Sequence, residues 1–450
     1  MALLGRQAEA IPFLENGLTE LDEAARAAVR RLLEECRLQA AGSAEPCERA
    51  AERPKDSQSP AVPPSGAASI LPLLSAKPAA AFRSSSEKPS HRQLHLQRHK
   101  RPKFSVVIPT YNRRAALESC LEALSRQTLS PDHFEVIVVD DGSTDDTESL
   151  CRNLSPSFPL IYTKQANAGT GAARRLGVER ARGDYLLLIN DDTIAEPRLL
   201  AEHLRVQRAH AQKRCAVLGD FRYPPAARQR ALTHFLCTQP FLFPQVNLNP
   251  GLHDKNAFFI ASNLSIRRDA VLAVGSFDPR FRVAEDTELG VRLKQVGYQV
   301  LYHPQARAWH EHLSFTLADL IRRARTYGET ELLLLRKHPH LLGDGTGPFG
   351  RLDEAAAQQI RSSVEPQREQ IAETVQVLER FEAIDFAPLF TIPSGERTAA
   401  AEVMELFSQA VPAVFWFYLC ETFLEAWDKE QRAVPAVPLS TPPFQPEVRA

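Results

Sequence analysis

The 450-residue chain has no run of about 20 apolar residues, so no membrane-spanning helix is expected. Its opening stretch, MALLGRQAEAIPFLENGLTELDEAARAAVRRLLEEC, lacks a basic segment followed by an apolar core, so a secretory signal is not expected. Its seven cysteines are scattered, with no CxxC pair and no Cys/His cluster. That odd number at irregular spacing argues against a disulfide framework or a zinc site and for reduced thiols in the cytoplasm. A formal net charge of −1 argues against nucleic-acid binding by overall electrostatics. There is no internal repeat. Apolar residues are not scarce: at 44% of the chain they can build a sizeable core.

The pattern divides the chain. Leu18, Leu21, Ala25, Val29 and Leu32 share one helical stripe, giving an N-terminal helical segment over 1–40. Residues 41–102 turn to Pro, Ser, Ala and basic residues, read as a flexible linker. Its basic end, HRQLHLQRHKRPK, suits either a solvated linker or contact with an anionic surface. From 103 the chain alternates strands and helices: FSVVIP (104–109), a helix with Leu117, Cys120, Leu121 and Leu124 on one face, FEVIVV (134–139), LIYTK (160–164), a helix over 170–182, and DYLLLI (184–189). This order predicts right-handed βαβ crossovers and a mostly parallel, Rossmann-like sheet flanked by helices. Continuously apolar strands predict a sheet covered on both faces. Residues 329–432 read as a helical C-terminal region; within it VPAVFWFYLC (411–420), too short to span a bilayer, reads as a buried helix. Residues 433–450 read as a disordered tail.

The polar residues of interest fall at strand ends: Pro109-Thr110-Tyr111-Asn112-Arg113, Asp140-Asp141-Gly142-Ser143 and Asn190-Asp191-Asp192-Thr193. In an open parallel sheet, ligands bind outside the carboxyl ends of the strands. An apolar strand running straight into two carboxylates can fix them at the edge of the core, where Mg²⁺ or Mn²⁺ finds the oxygen ligands it prefers. The plainer reading of Asp191-Asp192 is a helix N-cap leading into TIAEPRLLAEHL.

VVIPTYNR, EVIVVDDGSTDDT, NAGTGAARRLG, ARGDYLLLINDDT and FRVAEDTELGVRLKQVGY resemble, in order, the motifs of family 2 glycosyltransferases. The resemblance covers about 103–328 and implies a GT-A fold, a nucleotide-sugar donor, inversion at the anomeric carbon and use of Mg²⁺ or Mn²⁺. It places Pro109, Thr110 and Tyr111 in the nucleobase pocket with Arg113 close by, and Asp141 as acceptor from the base. The segment from Asn167 to Arg174 would approach the donor, with Gly169 and Gly171 permitting close backbone contact. The metal motif falls on Asn190-Asp191-Asp192, with Asn in its first position; Asp192 would be the principal metal ligand, and Asp191 would touch ribose or metal. Glu285-Asp286 matches the acidic pair that supplies the general base, assigned to Asp286; an acidic first helical turn is the structural alternative. His310, with His312 as competitor, stands where a late His reaches the metal or diphosphate. Arg322, Arg323 and Arg325 could neutralise the departing diphosphate, or form a solvated helix face. Arg175 stands where many relatives have Asn. The irregular, aromatic-rich stretch 220–256 is expected to serve the acceptor or act as a lid. The implied partners are a nucleotide sugar and a saccharide, lipid-linked or other hydroxyl acceptor, with peripheral membrane contact left open. A nucleotidyltransferase and a catalytically inactive GT-A scaffold are the competing readings.

Overall fold

The computed structural model describes residues 101–224, 230–239, 241–242, 248–253, 259–311, 315–342, 350–382 and 398–432. The expected N-terminal helical segment, nearly all of the expected linker, the expected tail and His312 lie outside these residues.

The first half is the predicted alternation. β1 (Phe104–Thr110), α1 (Arg114–Ser125), β2 (Phe134–Asp140), α2 (Thr147–Asn153), β3 (Leu160–Lys164), α3 (Thr170–Arg180) and β4 (Tyr185–Ile189) follow one another. β1 pairs in parallel with β2 and with β4, and β2 in parallel with β3. Alternation along the strand sends successive side chains to opposite faces. Phe104, Val106 and Ile108 pack with Leu117, Cys120 and Leu121 of α1 on one side, whereas Val107, Ile137 and Val139 pack with Ala173 and Val178 of α3 on the other. The strands are apolar throughout because both faces are covered.

The second half departs from a parallel sheet. β5 (Thr193–Ala195), α4 (Leu199–Ala209), β6 (Cys215–Arg222), α5 (Ala231–Thr238), β7 (Gly251–His253), β8 (Asn263–Arg267), α6 (Arg268–Ala273), α7 (Glu285–Gln295) and β9 (Gln299–His310) complete a nine-stranded sheet. Its order is β3-β2-β1-β4-β8-β6-β9-β5, with β7 also on β9. β8 runs antiparallel to both β4 and β6, and β9 antiparallel to β5 and β7. The sheet is therefore mixed: parallel from β3 to β4, antiparallel around β8, and parallel again between β6 and β9. The expected irregular stretch 220–256 contains β6's last residues, α5 and β7; residues 225–229, 240, 243–247 and 254–256 lie outside the described residues.

α8 (Leu317–Lys337), α9 (Glu354–Val364), α10 (Arg368–Glu382) and α11 (Thr398–Arg432) follow. α8 begins with a capping box between Thr316 and Asp319 and continues unbroken through the division expected at 328/329. A Cβ at Gly328 would lie 2.1 Å from Thr422 Oγ1, so the position lets α8 and α11 meet closely. Val411, Val414, Phe415 and Leu419 of α11 are fully buried, as the 411–420 stretch predicted. Among the described residues no helix is long and apolar enough to cross a membrane.

Candidate active site

Because β2, β1 and β4 are parallel neighbours, their carboxyl ends share one rim. There Thr110 Oγ1 donates to Asp191 Oδ2 at 2.9 Å. Arg113, just past β1, spans the acidic pair: Nη1 lies 2.9 Å from Asp191 Oδ1 and Nη2 2.8 Å from Asp192 Oδ2. Asp191 and Asp192 are each only 4% exposed. Burial is the main cause that pushes the Asp191 carboxyl up to about 7; Arg113 opposes the rise and Asp192 adds to it. The N-cap alternative for this pair fails. Thr193–Ala195 is a strand, and the following helix begins only at Leu199.

That short strand explains how His310 arrives. β5 pairs antiparallel with the end of β9, setting Thr193 opposite His310. The imidazole Nε2 then lies 3.6 Å from Asp192 Oδ2, and Tyr223 stacks on the ring at 4.7 Å. Two carboxylates and an imidazole thus converge, a donor chemistry that suits a hard divalent cation completed by phosphate oxygens and water. In this conformation Arg113 supplies the positive charge between the carboxylates. Among the described residues no group of three or more His, Cys, Asp and Glu side chains is arranged to hold a metal.

Asn190 does not extend this set. Its Oδ1 accepts from Arg174 Nη2 at 2.8 Å and its Nδ2 donates to Ser262 Oγ at 3.2 Å. Arg174 is 3% exposed and also bonds Glu285 and the carbonyl of Ala261. Burial pulls its guanidinium down to about 10, so it stays charged at neutral pH; Asp286 and Asp191 pull the other way. Arg174 is therefore a buried clamp between the strand end at Asn190 and the start of α7, at the wall of the cleft. Glu285, likewise 3% exposed, is committed to that clamp. Its neighbour Asp286 is turned to the cavity side, with Oδ2 accepting from the Ala261 amide and Oδ1 from the Thr287 amide at 2.9 and 2.8 Å. Ala284, just before the pair, adopts a left-handed φ of 55°, and so does Asn112 at 53° on the opposite rim. Both are positions where a non-glycine backbone is held against its preference beside the cleft.

Asp141 already carries three donors: Gln165 Nε2, the Ala168 amide and the Gly169 amide, at 2.7, 2.9 and 2.8 Å. It fixes the 165–169 loop as well as facing the cavity. The close approach at Gly169 and Gly171 is to the 278–284 segment. A Cβ on Gly169 would sit 2.9 Å from Arg282, and one on Gly171 would sit 2.3 Å from the carbonyl of Phe281. Arg282 in turn bonds Asn167 Oδ1 at 2.5 Å. Arg175 points elsewhere, bonding Glu179 and the carbonyl of Phe277.

Two adjoining cavities of about 680 and 660 Å³ lie above this rim. Pro109, Tyr111, Asp141, Asn167, Gly169 and Asp191 line the first; Asp192, Glu285, Asp286, His310 and Arg174 line the second. Arg113, Thr170, Asn190, Val283 and Thr326 line both, which makes them one cleft with two lobes. The acidic tips Asp141, Asp191 and Asp192 and the α7 pair Glu285-Asp286 thus border one cleft. Of the three α8 arginines expected near the diphosphate, Arg322 and Arg323 line the second lobe, whereas Arg325 turns to α11, over Tyr418 at 4.7 Å and 3.8 Å from Glu421. Sequence reading did not anticipate the lining by Val283, Arg282, Thr326 and Tyr327. With Arg322 and Arg323, Thr326 and Tyr327 form a helical stripe visible in the sequence but silent about what it faces.

Residues 105–275 match the family model described as Glycosyl transferase family 2. This part of the chain is similar to family 2 glycosyltransferase domains. The chain is 30% identical over 217 residues to the probable glycosyltransferase YdaM of Bacillus subtilis, covering 47% of this chain and 51% of that protein. It is 29% identical over 273 residues to validoxylamine A glucosyltransferase of Streptomyces hygroscopicus subsp. limoneus, covering 54% of this chain and 58% of that protein. The match thus spans half to three-fifths of the length of these relatives. A mannosyltransferase from Pyrobaculum calidifontis, solved with GDP-Man and Mn²⁺, aligns at TM-score 0.44 and 18% identity over 74% of this chain and 87% of that one. The domain is a mixed sheet flanked by helices, as the GT-A resemblance implies, followed here by a helical C-terminal region.

Proposed function

We propose that the chain transfers a sugar from a nucleotide-diphosphate donor to a hydroxyl acceptor with inversion, using Asp286 as general base. The observation that carries this reading is the sharing of one cleft: Asp286 lines the lobe next to the one bordered by Tyr111, Asp141 and Asp191. Tyr111, 47% exposed at the cleft, offers a ring for a nucleobase to stack on. Asp141 retains lone pairs for a base N–H. Asp192, Asp191 and His310 would hold Mg²⁺ or Mn²⁺, which when bound offsets charge developing on the leaving diphosphate.

Asp286 then takes the proton of the acceptor hydroxyl as its oxygen attacks the anomeric carbon. The bond from that carbon to the phosphate oxygen breaks, and the nucleoside diphosphate leaves with the electron pair. Attack from the face opposite the leaving group inverts the centre in one displacement. Two backbone amides hold the Asp286 carboxylate, so its orientation is set before the acceptor arrives. Glu285 acts through the Arg174 clamp as a positioning residue.

The test is nucleoside-diphosphate release from a panel of nucleotide sugars, with and without EDTA, for wild type and Asp286→Asn. A general base contributes roughly 10²–10⁴-fold, so the variant should lose that much turnover while binding nucleotide normally. Unchanged turnover in Asp286→Asn removes the base assignment. Pyrophosphate as product identifies a nucleotidyltransferase, and silence with every donor supports a binding module.

A further inference from the structure

The second lobe contains an arginine that pairs with no carboxylate among the described residues. Arg323 donates from Nε and Nη2 to one neutral oxygen, Tyr327 Oη, at 3.2 and 3.1 Å, and its guanidinium lies 5.5 Å from the centroid of the same ring. Among the described residues no carboxylate lies within ion-pair distance of it, and Asp286 acts on it only through its field. Its neighbours differ. Arg322 pairs with Asp319, Arg325 lies 3.8 Å from Glu421, and across the cleft Arg113 and Arg174 are each bound to carboxylates. A guanidinium has five N–H donors in a rigid fork matched to planar or tetrahedral oxyanions. Tyr327 engages two, leaving three for a ligand.

We infer that Arg323 binds an anionic group, a phosphate or a carboxylate, carried by the acceptor. Its place in the cleft favours the acceptor over the donor diphosphate. Arg323 lines only the lobe that holds Asp286, where the attacking hydroxyl must lie under the proposed function on which this inference rests. The lobe with Tyr111 and Asp141 has cations of its own, Arg280 and Arg282, and Arg113 stands at the junction. Tyr223 and Phe315, which line the same lobe, give it aromatic surface for the remainder of an acceptor. Asp319 borders the same lobe, but its carboxylate is taken up by Arg322 and the Thr316 cap. The acceptor class is therefore a hydroxyl compound bearing a negative charge, oriented by Arg323 so that the hydroxyl reaches Asp286.

Calorimetric titration of the full chain tests this in two stages. First, UDP, GDP, ADP and CDP are titrated with Mn²⁺ to find a nucleotide that binds. The nucleotide-saturated protein is then titrated with methyl phosphate and with methyl glucuronide, which separate the phosphate and carboxylate sources. At least one should bind, and Arg323→Met should weaken it tenfold or more while changing the nucleotide Kd less than twofold. Arg323→Lys should recover part of the loss. Should Arg323→Met fail to bind nucleotide for want of folding, Arg323→Lys and anion titrations of the wild type with and without saturating nucleotide decide. Overturning results are anion binding abolished by saturating nucleotide, which would assign Arg323 to the diphosphate, or no binding of either anion to the loaded protein. If no nucleotide binds at all, the underlying donor reading fails and this inference falls with it. That outcome is distinct from failure here, where nucleotide binds normally.

Discussion

Replacing Arg113 by Met would leave two carboxylates, each 4% exposed, side by side without the cation that joins them. Breaking a fully buried pair by removing one partner costs about 3–5 kcal/mol. The Arg113 side chain is 32% exposed, so solvent already screens part of the attraction and a cost of about 2 kcal/mol is the better figure. The effect should be conditional on metal. With Arg113 absent, a divalent cation can take its place between Asp191 and Asp192 without displacing a guanidinium. Saturation to ten times its Kd would return about 1.4 kcal/mol. The assay is urea unfolding of wild type and Arg113→Met at pH 7, each with EDTA and with Mn²⁺. The variant should be the less stable in EDTA and should gain more from Mn²⁺ than wild type does. Equal stability in EDTA, or an equal gain from Mn²⁺ in the two proteins, would refute the idea that Arg113 stands in for a cation.

Three further outcomes are expected. Glu285→Gln and Arg174→Met should each cost about 3–5 kcal/mol in urea unfolding, because each strands a partner only 3% exposed, whereas the double change Arg174→Met/Glu285→Met should cost less than the two singles added together; simple additivity would dissolve the clamp. His203, fully buried between Ser265 and Asn263, is pulled down to about 4, chiefly by burial. Its unfolded form takes up a proton first as pH falls below about 6.5, so stability should drop by about 2 kcal/mol between pH 7 and pH 5 and by about 3 by pH 4, a slope that His203→Gln should flatten. Gly328→Ala, normally a gain of about 1 kcal/mol inside a helix, should instead cost about 1–3 kcal/mol, because the new methyl would lie 2.3 Å from the Leu419 carbonyl oxygen and force α8 off α11; a higher Tm in thermal unfolding would contradict that packing.

The parallel half of the sheet was legible because its strands are buried on both faces and so carry unbroken apolar runs, such as Val106–Ile108 and Leu186–Ile189. The second half was harder to read. β5 is three residues long, and β8 owes its antiparallel course to partners distant in sequence. The acidic tips could be placed from the strand ends alone, since parallel neighbours must deliver their carboxyl ends to one rim. Which tip does what was not legible. Nothing in Asn190, Arg174 or Glu285 as letters distinguishes a donor contact from a buried clamp; that depends on α3 and α7 meeting at Gly171, a contact between residues more than 100 positions apart. The contribution of α8 was hidden for a related reason: its stripe of Arg and Tyr has the same pattern whether it meets solvent or a cleft.

The close seating of α8 on α11 has an evolutionary consequence. One side of α8 borders the lobe around Asp286, while the other is moulded to the C-terminal helix through Gly328 and Thr422. Substitutions in α11, outside the lining of the cleft, could tilt or slide α8 and so reshape the wall facing Asp286, leaving the strand ends at Asp141 and Asp191 undisturbed. Lineages built on this plan could thus remodel one half of the cleft through a helical buttress while inheriting the other half unchanged.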